Sequence, residues 1–181
     1  MLNGPDAETM AFIDGCPMDD RRQFVNFCLS LYRLLEEYNV HTNLTRITGI
    51  EEFWCKHVAD SLAITRFFPD LLEGEYHLGD IGCGAGFPAL ILAAACPQLR
   101  ITAIDSIGKK TAFVREAAEK LGFTNLEVVT DRSKEMIRRN EWKGVFDIVT
   151  ARAVADERTL FPETRVMVKA GGRFICYKKQ K

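Results

Sequence analysis

Apolar positions in the first third of the chain recur at helical spacing. Between Asp19 and Tyr38 they fall at Phe24, Phe27, Cys28, Leu31, Leu34, Leu35 and Tyr38, one face of a 3.6-residue repeat. The spacing predicts a helix over 19–38 with Asp19 as its N-cap. A polar loop follows over 39–48, and a further helical stretch runs over 50–67 until Pro69 stops it. From Tyr76 onward short apolar runs take over. His77–Ile81, Arg100–Ile104, Leu126–Thr130, Phe146–Thr150 and Arg173–Tyr177 read as strands. Helical patterns lie between them at Phe87–Ala95, Lys109–Leu121, Ser133–Asn140 and Glu157–Val168. Strand alternating with helix implies a parallel sheet with right-handed crossovers. The expected architecture is α/β: a helical cap over residues 1–69 and a doubly wound sheet over 70–181.

Composition narrows the class. Of 181 residues, 47% are apolar and 27% charged, which suits a globular protein with its own core. A net charge of −1 gives no overall basic character, so a nucleic-acid partner has to be met by a local patch. The six cysteines, at 16, 28, 55, 83, 96 and 176, include no Cys-x-x-Cys pair and form no pattern with His41, His57 and His77. The expectation is reduced thiols in a cytoplasmic protein without a metal site. The N-terminus has neither a basic start nor an apolar stretch, so no signal peptide is expected. The longest apolar run, Ala89 to Cys96, is too short to span a bilayer, so no membrane partner is expected either.

The most informative segment is Asp80-Ile81-Gly82-Cys83-Gly84-Ala85-Gly86-Phe87-Pro88, between a predicted strand and a predicted helix. Glycines there let the backbone turn tightly and approach a ligand. Pro88 suits the first turn of a helix, where its missing N–H costs nothing. Ligands of open parallel sheets bind at the carboxyl ends of the strands, near the topological switch point. A dinucleotide loop would carry glycine at the sixth position from Gly82, where Phe87 stands. A tight strand-to-helix turn with no ligand is the plainer reading of the loop alone. Asp105 adds to it. An acid at the end of the second strand, roughly 20 residues past a glycine loop, suits the hydroxyl pair of a ribose. It could equally cap the following helix, and the two roles are compatible.

Together these segments resemble class I methyltransferases, and more closely the GidB family, the bacterial methyltransferase G of small-subunit ribosomal RNA. The residues that carry the resemblance are Asn39-x-x-x-Asn43-Leu44-Thr45, Lys56-His57-x-x-Asp60-Ser61-Leu62, Asp80 to Pro88, and Asp105-Ser106-x-Gly108-Lys109-Lys110. Asp131-Arg132-Ser133 and Thr150-Ala151-Arg152-Ala153 also fit, so it spans nearly the whole chain. It implies a Rossmann-like sheet, S-adenosylmethionine as cofactor, and methyl transfer to guanine N7 in 16S rRNA, free or in the small ribosomal subunit. It implies a cofactor site at Gly82, Gly84, Gly86 and Phe87 in the first loop and Asp105 at the ribose. Ser133 and Lys134 would flank the adenine, with Arg152 at the mouth. Lys134 stands where the family usually has an acid. Family members usually continue past the fifth strand with a helix and two more strands. This chain stops at Lys178-Lys179-Gln180-Lys181, so the sheet is expected to lack its last two strands and to leave the fifth as an edge.

Guanine N7 carries an in-plane lone pair and needs no general base, so no catalytic acid–base pair is expected. Arg152 is expected to orient cofactor or guanine, or else to form a structural ion pair with Asp105 or Asp80. Asn43 could donate to a base edge or serve as a turn residue bonding its own backbone. Arg46, Lys56, Lys109, Lys110, Arg152 and Lys178 could meet phosphates at the strand ends, or be ordinary solvated charges. His57 reads as a packing histidine. The alternatives are a methyltransferase of the same fold with another substrate, and a binder of cofactor or rRNA without turnover. A nicotinamide oxidoreductase is weakened by Phe87.

Overall fold

A computed structural model of the chain describes residues 3–16, 18, 20–152 and 157–178. Among the described residues five strands form one parallel sheet: β1 (His77–Ile81), β2 (Arg100–Asp105), β3 (Leu126–Thr130), β4 (Phe146–Arg152) and β5 (Val168–Tyr177), in the order β3-β2-β1-β4-β5. The chain winds outward through β1, β2 and β3, then returns to place β4 on the other side of β1. In register, Ile81 lies beside Ile104 of β2 and Ala151 of β4, so the strand order reverses at the end of β1. That reversal opens a crevice beyond the strand ends, the usual ligand site of such sheets.

Ahead of the sheet come α1 (Ala7–Asp14), α2 (Arg21–Thr42) and α3 (Ile50–Phe53), a π-helical turn at Trp54–Ala59, and α4 (Asp60–Phe67). Asp20 caps α2 by accepting the Gln23 N–H at 2.9 Å, while Asp19 lies outside the described residues. The stretch expected as one helix over 50–67 is helical throughout, but its middle is widened. The Asp60 N–H reaches back five residues to the Cys55 carbonyl. Between the strands lie α5 (Ala89–Ala95), α6 (Gly108–Lys120), α7 (Ser133–Met136) and α8 (Glu157–Thr164).

Several expected boundaries move; α2 runs on to Thr42, and α8 ends at Thr164 rather than Val168. The helix expected over 133–140 is α7 alone, followed by a 3₁₀ turn at Asn140–Trp142. The fifth strand begins at Val168 rather than Arg173, and a register shift between Phe146 and Ile148 absorbs its early start. Lys169, the small Ala170 and Gly171-Gly172 leave this beginning without a readable hydrophobic pattern.

The larger core lies on the sheet face that carries Leu78, Ile101, Ala103 and Ile148. It also takes in Phe24, Cys28, Leu31, Phe53, Trp54 and Leu62 of the cap. Between these layers runs α5, with Leu90, Ile91 and Leu92 fully buried. The opposite face is covered by a smaller cluster in which Ile81, Ile104 and Val149 meet Met136, Leu160 and Met167.

The glycines after β1 are not equivalent. Gly84 and Gly86 both hold positive φ, 59° and 88°. A Cβ on Gly84 would meet only the Gly82 carbonyl at 3.9 Å, whereas one on Gly86 would run into the buried Leu90 side chain. Gly84→Ala is therefore expected to cost about 1 kcal/mol, for backbone strain alone. Gly86→Ala adds overpacking and is expected to cost about 2–4 kcal/mol. Denaturant midpoints of the two variants check the order; equal losses would contradict it.

Candidate functional site

Backbone hydrogen bonds fold the loop after β1 over the end of β2. The Gly82 and Cys83 N–H groups donate to the Ile104 carbonyl at 2.7 and 3.0 Å. Asp105 then ties three segments together. Its Oδ2 accepts the Gly84 N–H at 3.0 Å, and its Oδ1 accepts the Ile107 N–H at 2.9 Å. Lys110 Nζ lies 3.6 Å from the same carboxylate. Each carboxylate oxygen has a second lone pair, so both can still accept from a ligand.

Beyond these strand ends lies a cleft of about 520 Å³. Gly82, Asp105 and Ser106 line it on one side, and Asp131 to Lys134, after β3, line it on another. Its apolar wall is Ile81, Ile104, Ile107 and Leu160. A flat aromatic group could lie on the apolar wall while a diol meets Asp105. Of the residues expected at a cofactor, Gly82, Asp105, Ser133 and Lys134 are gathered here. Gly84 contributes its N–H to Asp105, and Gly86 packs on Leu90.

Phe87 and Arg152 stand on the cap side. Phe87 is buried, and its ring stacks on His57 at 4.0 Å with 13° between the planes. The Phe87–Pro88 peptide is cis, and the helix begins at Ala89, one residue after the proline. Arg152 Nη1 donates to Asp60 Oδ2 at 3.0 Å and to the Lys56 carbonyl at 2.9 Å. Its Nη2 donates to His57 Nδ1 at 2.9 Å. The ion-pair partner is thus Asp60, neither Asp105 nor Asp80, because the cap brings a carboxylate within direct reach. Ala153, the last residue of the motif around Arg152, lies outside the described residues.

Asp80 is fully buried beneath the glycine loop. It accepts the Thr150 hydroxyl at 2.9 Å and the Ala89 N–H at 3.3 Å. Burial pushes its carboxyl up to about 6, against the hydrogen bond from Thr150 and the nearby Arg152 charge. His57 shifts the other way: burial, with the Arg152 cation beside it, pulls the imidazole down to about 3.

The remaining expected residues do not line the cleft. Asn43 ends α2 in the left-handed conformation, φ 49°, with its N–H on the Asn39 carbonyl at 3.3 Å. Arg46 is exposed on the next loop, and Lys178 is exposed just past β5. Lys109 Nζ donates to the Thr42 carbonyl at 2.8 Å, joining α6 to the end of α2. Lys56 forms a close ion pair with Glu52. Reading the sequence missed Ile107 and Leu160 as cleft walls, and Asp60 as the partner of Arg152. The i, i+3 spacing of His57 and Asp60, which puts both on one helix face, was the available signal. Among the described residues there is no cluster able to hold a metal ion, and no helix is long and apolar enough to cross a membrane.

The GidB family model, described as rRNA small subunit methyltransferase G, matches residues 25–181. The ribosomal RNA small subunit methyltransferase G of Limosilactobacillus reuteri is 41% identical over 161 residues, covering 88% of this chain and 65% of that protein. The protein of the same name from Gloeobacter violaceus is 41% identical over 148 residues, covering 82% of this chain and 58% of that one. The chain thus spans less than two thirds of the length of these relatives. Among solved structures, YcgJ of Bacillus subtilis superposes with a TM-score of 0.52 at 23% identity, over 64% of this chain and 49% of that one. A candidate S-adenosyl-L-methionine-dependent methyltransferase of Methanococcus maripaludis gives 0.54 at 16%, over 80% and 61%. Both likenesses concern the fold.

The two shifted groups oppose one another in acid. Between about pH 4 and 6 folded Asp80 keeps a proton that the unfolded chain releases, so its contribution to stability falls as pH rises. Folded His57 refuses a proton that the unfolded chain takes up below its usual 6.5, so its contribution is lost as pH falls toward 3. In Asp80→Asn the histidine acts without this opposition. Denaturant midpoints should then climb more steeply from about pH 4 to 6 than in the parent chain. Equal slopes would mean that Asp80 titrates as in the unfolded chain.

Proposed function

Because the chain belongs to the GidB family, rRNA small subunit methyltransferase G, we propose that it binds S-adenosylmethionine in the cleft beyond the ends of β1, β2 and β3 and methylates N7 of a guanine in 16S rRNA. The observation that carries this is the meeting of Gly82, Asp105 and Ser133 around one cleft. Bound there, S-adenosylmethionine supplies a methyl group on a positively charged sulfur. Asp105 would receive the ribose hydroxyls on lone pairs that Gly84 and Ile107 leave unused. Ile107 and Leu160 would pack the adenine face and exclude water, with Ser133 and Lys134 at its edge.

N7 attacks through a lone pair that bears no proton, so the chain has no proton to remove. The contribution asked of it is placement, which can be worth several orders of magnitude in rate. The guanine must be splayed out of its helix to reach a cleft, as for other base-modifying enzymes. Arg46, Lys109 and Lys178 would meet phosphates, and exposed Val40, two residues before the Thr42 carbonyl that Lys109 holds, would offer apolar surface to an unstacked base. In this reading residues 1–69 present the RNA, residues 70–181 hold the cofactor, and Asn43 lies at the boundary. The 16S rRNA, free or in the small subunit of the cytoplasmic ribosome, is the partner, with no membrane and no metal involved.

Calorimetry with S-adenosylmethionine, with NAD as control, tests the cofactor. Binding of the former alone is expected, and binding of NAD instead would point to an oxidoreductase. Asp105→Asn should weaken S-adenosylmethionine by about tenfold or more, since it removes a charged acceptor. Transfer of labelled methyl to undermethylated small subunits, mapped to the modified atom, tests the substrate. Arg46→Ala should weaken subunit binding and reduce its salt dependence while leaving cofactor affinity unchanged.

A further inference from the structure

We propose that His57 is a positioning residue: its neutral ring sets Arg152 and Phe87 at the carboxyl ends of β4 and β1, and so links the pose of the 43–48 loop to the wall of the cleft. The argument begins with hydrogen-bond direction. A guanidinium only donates, so the 2.9 Å contact from Arg152 requires a bare Nδ1 on His57. The proton therefore sits on Nε2, which faces the Thr45 hydroxyl at 3.4 Å.

Thr45 is itself held. Asn39 grips its backbone twice, Nδ2 donating to the Thr45 carbonyl and Oδ1 accepting its N–H, both at 3.0 Å. The Thr45 hydroxyl also accepts the Ile47 N–H at 3.1 Å. The loop is thus indexed to one edge of the imidazole, while the ring face lies on Phe87. Phe53 packs edge-on against both rings, at 6.0 and 6.1 Å.

The other edge fixes Arg152. Its Nη1 donates to Asp60 and to the Lys56 carbonyl, both on the helical segment that carries His57. The π turn at 54–59 sets His57 and the Lys56 carbonyl toward the same guanidinium. Arg152 directly follows Ala151, which pairs in register with Ile81 of the cleft wall, and Phe87 ends the loop that begins at Gly82. A shift of either residue is therefore a shift of the wall.

The kinetic part of this inference rests on the methyltransferase reading above, and the structural part does not. His57→Phe keeps a ring on Phe87 but removes the acceptor and the donor. His57→Asn loses the ring but carries an amide oxygen that can accept from Arg152. Nitrogen NMR of the parent chain should show His57 protonated on Nε2 only, from about pH 5 to about 8. Rotation of the Arg152 guanidinium should be slow in the parent and in His57→Asn, and fast in His57→Phe. With small subunits as substrate and cofactor saturating, His57→Phe should lower kcat by about tenfold or more. Cofactor affinity should change by less than about threefold, and His57→Asn should recover most of the rate. A proton on Nδ1, or an Arg152 as restrained in His57→Phe as in the parent, would overturn the proposal. So would kcat losses that only track thermal midpoints across both variants. A parent chain that binds no S-adenosylmethionine would overturn the methyltransferase reading instead, with the ring and guanidinium measurements still deciding the role of His57.

Discussion

A helix without a polar face cannot stand against water, and Ala89–Ala95 is such a helix: every side chain is alanine, leucine or isoleucine. The sheet can cover only one side of it. The other side has to be covered by something else, and α2 and α4 do so, sharing a single core with β1, β2 and β4. The cap is therefore part of the sheet's own packing. Once it is seated there, the end of α2, the 43–48 loop and the π turn necessarily stand beside the strand ends where β1 and β4 part.

That seating brings buried polar groups together, and those nearest the strand ends are answered, while the Ser61 hydroxyl of α4 is left without a partner. Asp80 holds Thr150 to the start of α5, and Asp105 joins the glycine loop to the segment after β2. Arg152 is bound to the cap through Asp60, His57 and the Lys56 carbonyl. The carboxyl raised by burial and the imidazole lowered by it both feel the Arg152 cation, and such shifted groups are commonly found at functional sites. Neither is placed to move a proton for a substrate, since both are already occupied by internal partners.

This arrangement suits a reaction whose difficulty is alignment. A nucleophile with a ready lone pair needs a fixed acceptor, a fixed donor and a dry wall between them, and rigid strand ends hold positions better than loops alone. In this chain even the loops are tied: the glycine loop to Asp105, and the 43–48 loop to Asn39 and His57.

Much of this was legible in the residues. Strands β1 and β3 were readable to their ends, because short apolar runs bounded by turns fix a strand from local spacing alone. The order of strand and helix determined the parallel sheet, and the glycine loop with an acid after the next strand marked the cleft. Local pattern failed where the cause was distant. The early start of β5 depends on pairing with β4 across a bulge, and Lys169 to Gly172 carry no readable hydrophobic pattern for it. Ile107 and Leu160 become cleft walls only because two separate segments converge. The partner of Arg152 lies 92 residues earlier in the chain, and two nearer acids looked as suitable. The sequence by itself determined which elements form and which loop would meet a ligand, since both follow from spacing and turn chemistry. Only the tertiary structure decided which charges pair and which ring nitrogen holds a proton, because those depend on distances that arise when the cap closes over α5.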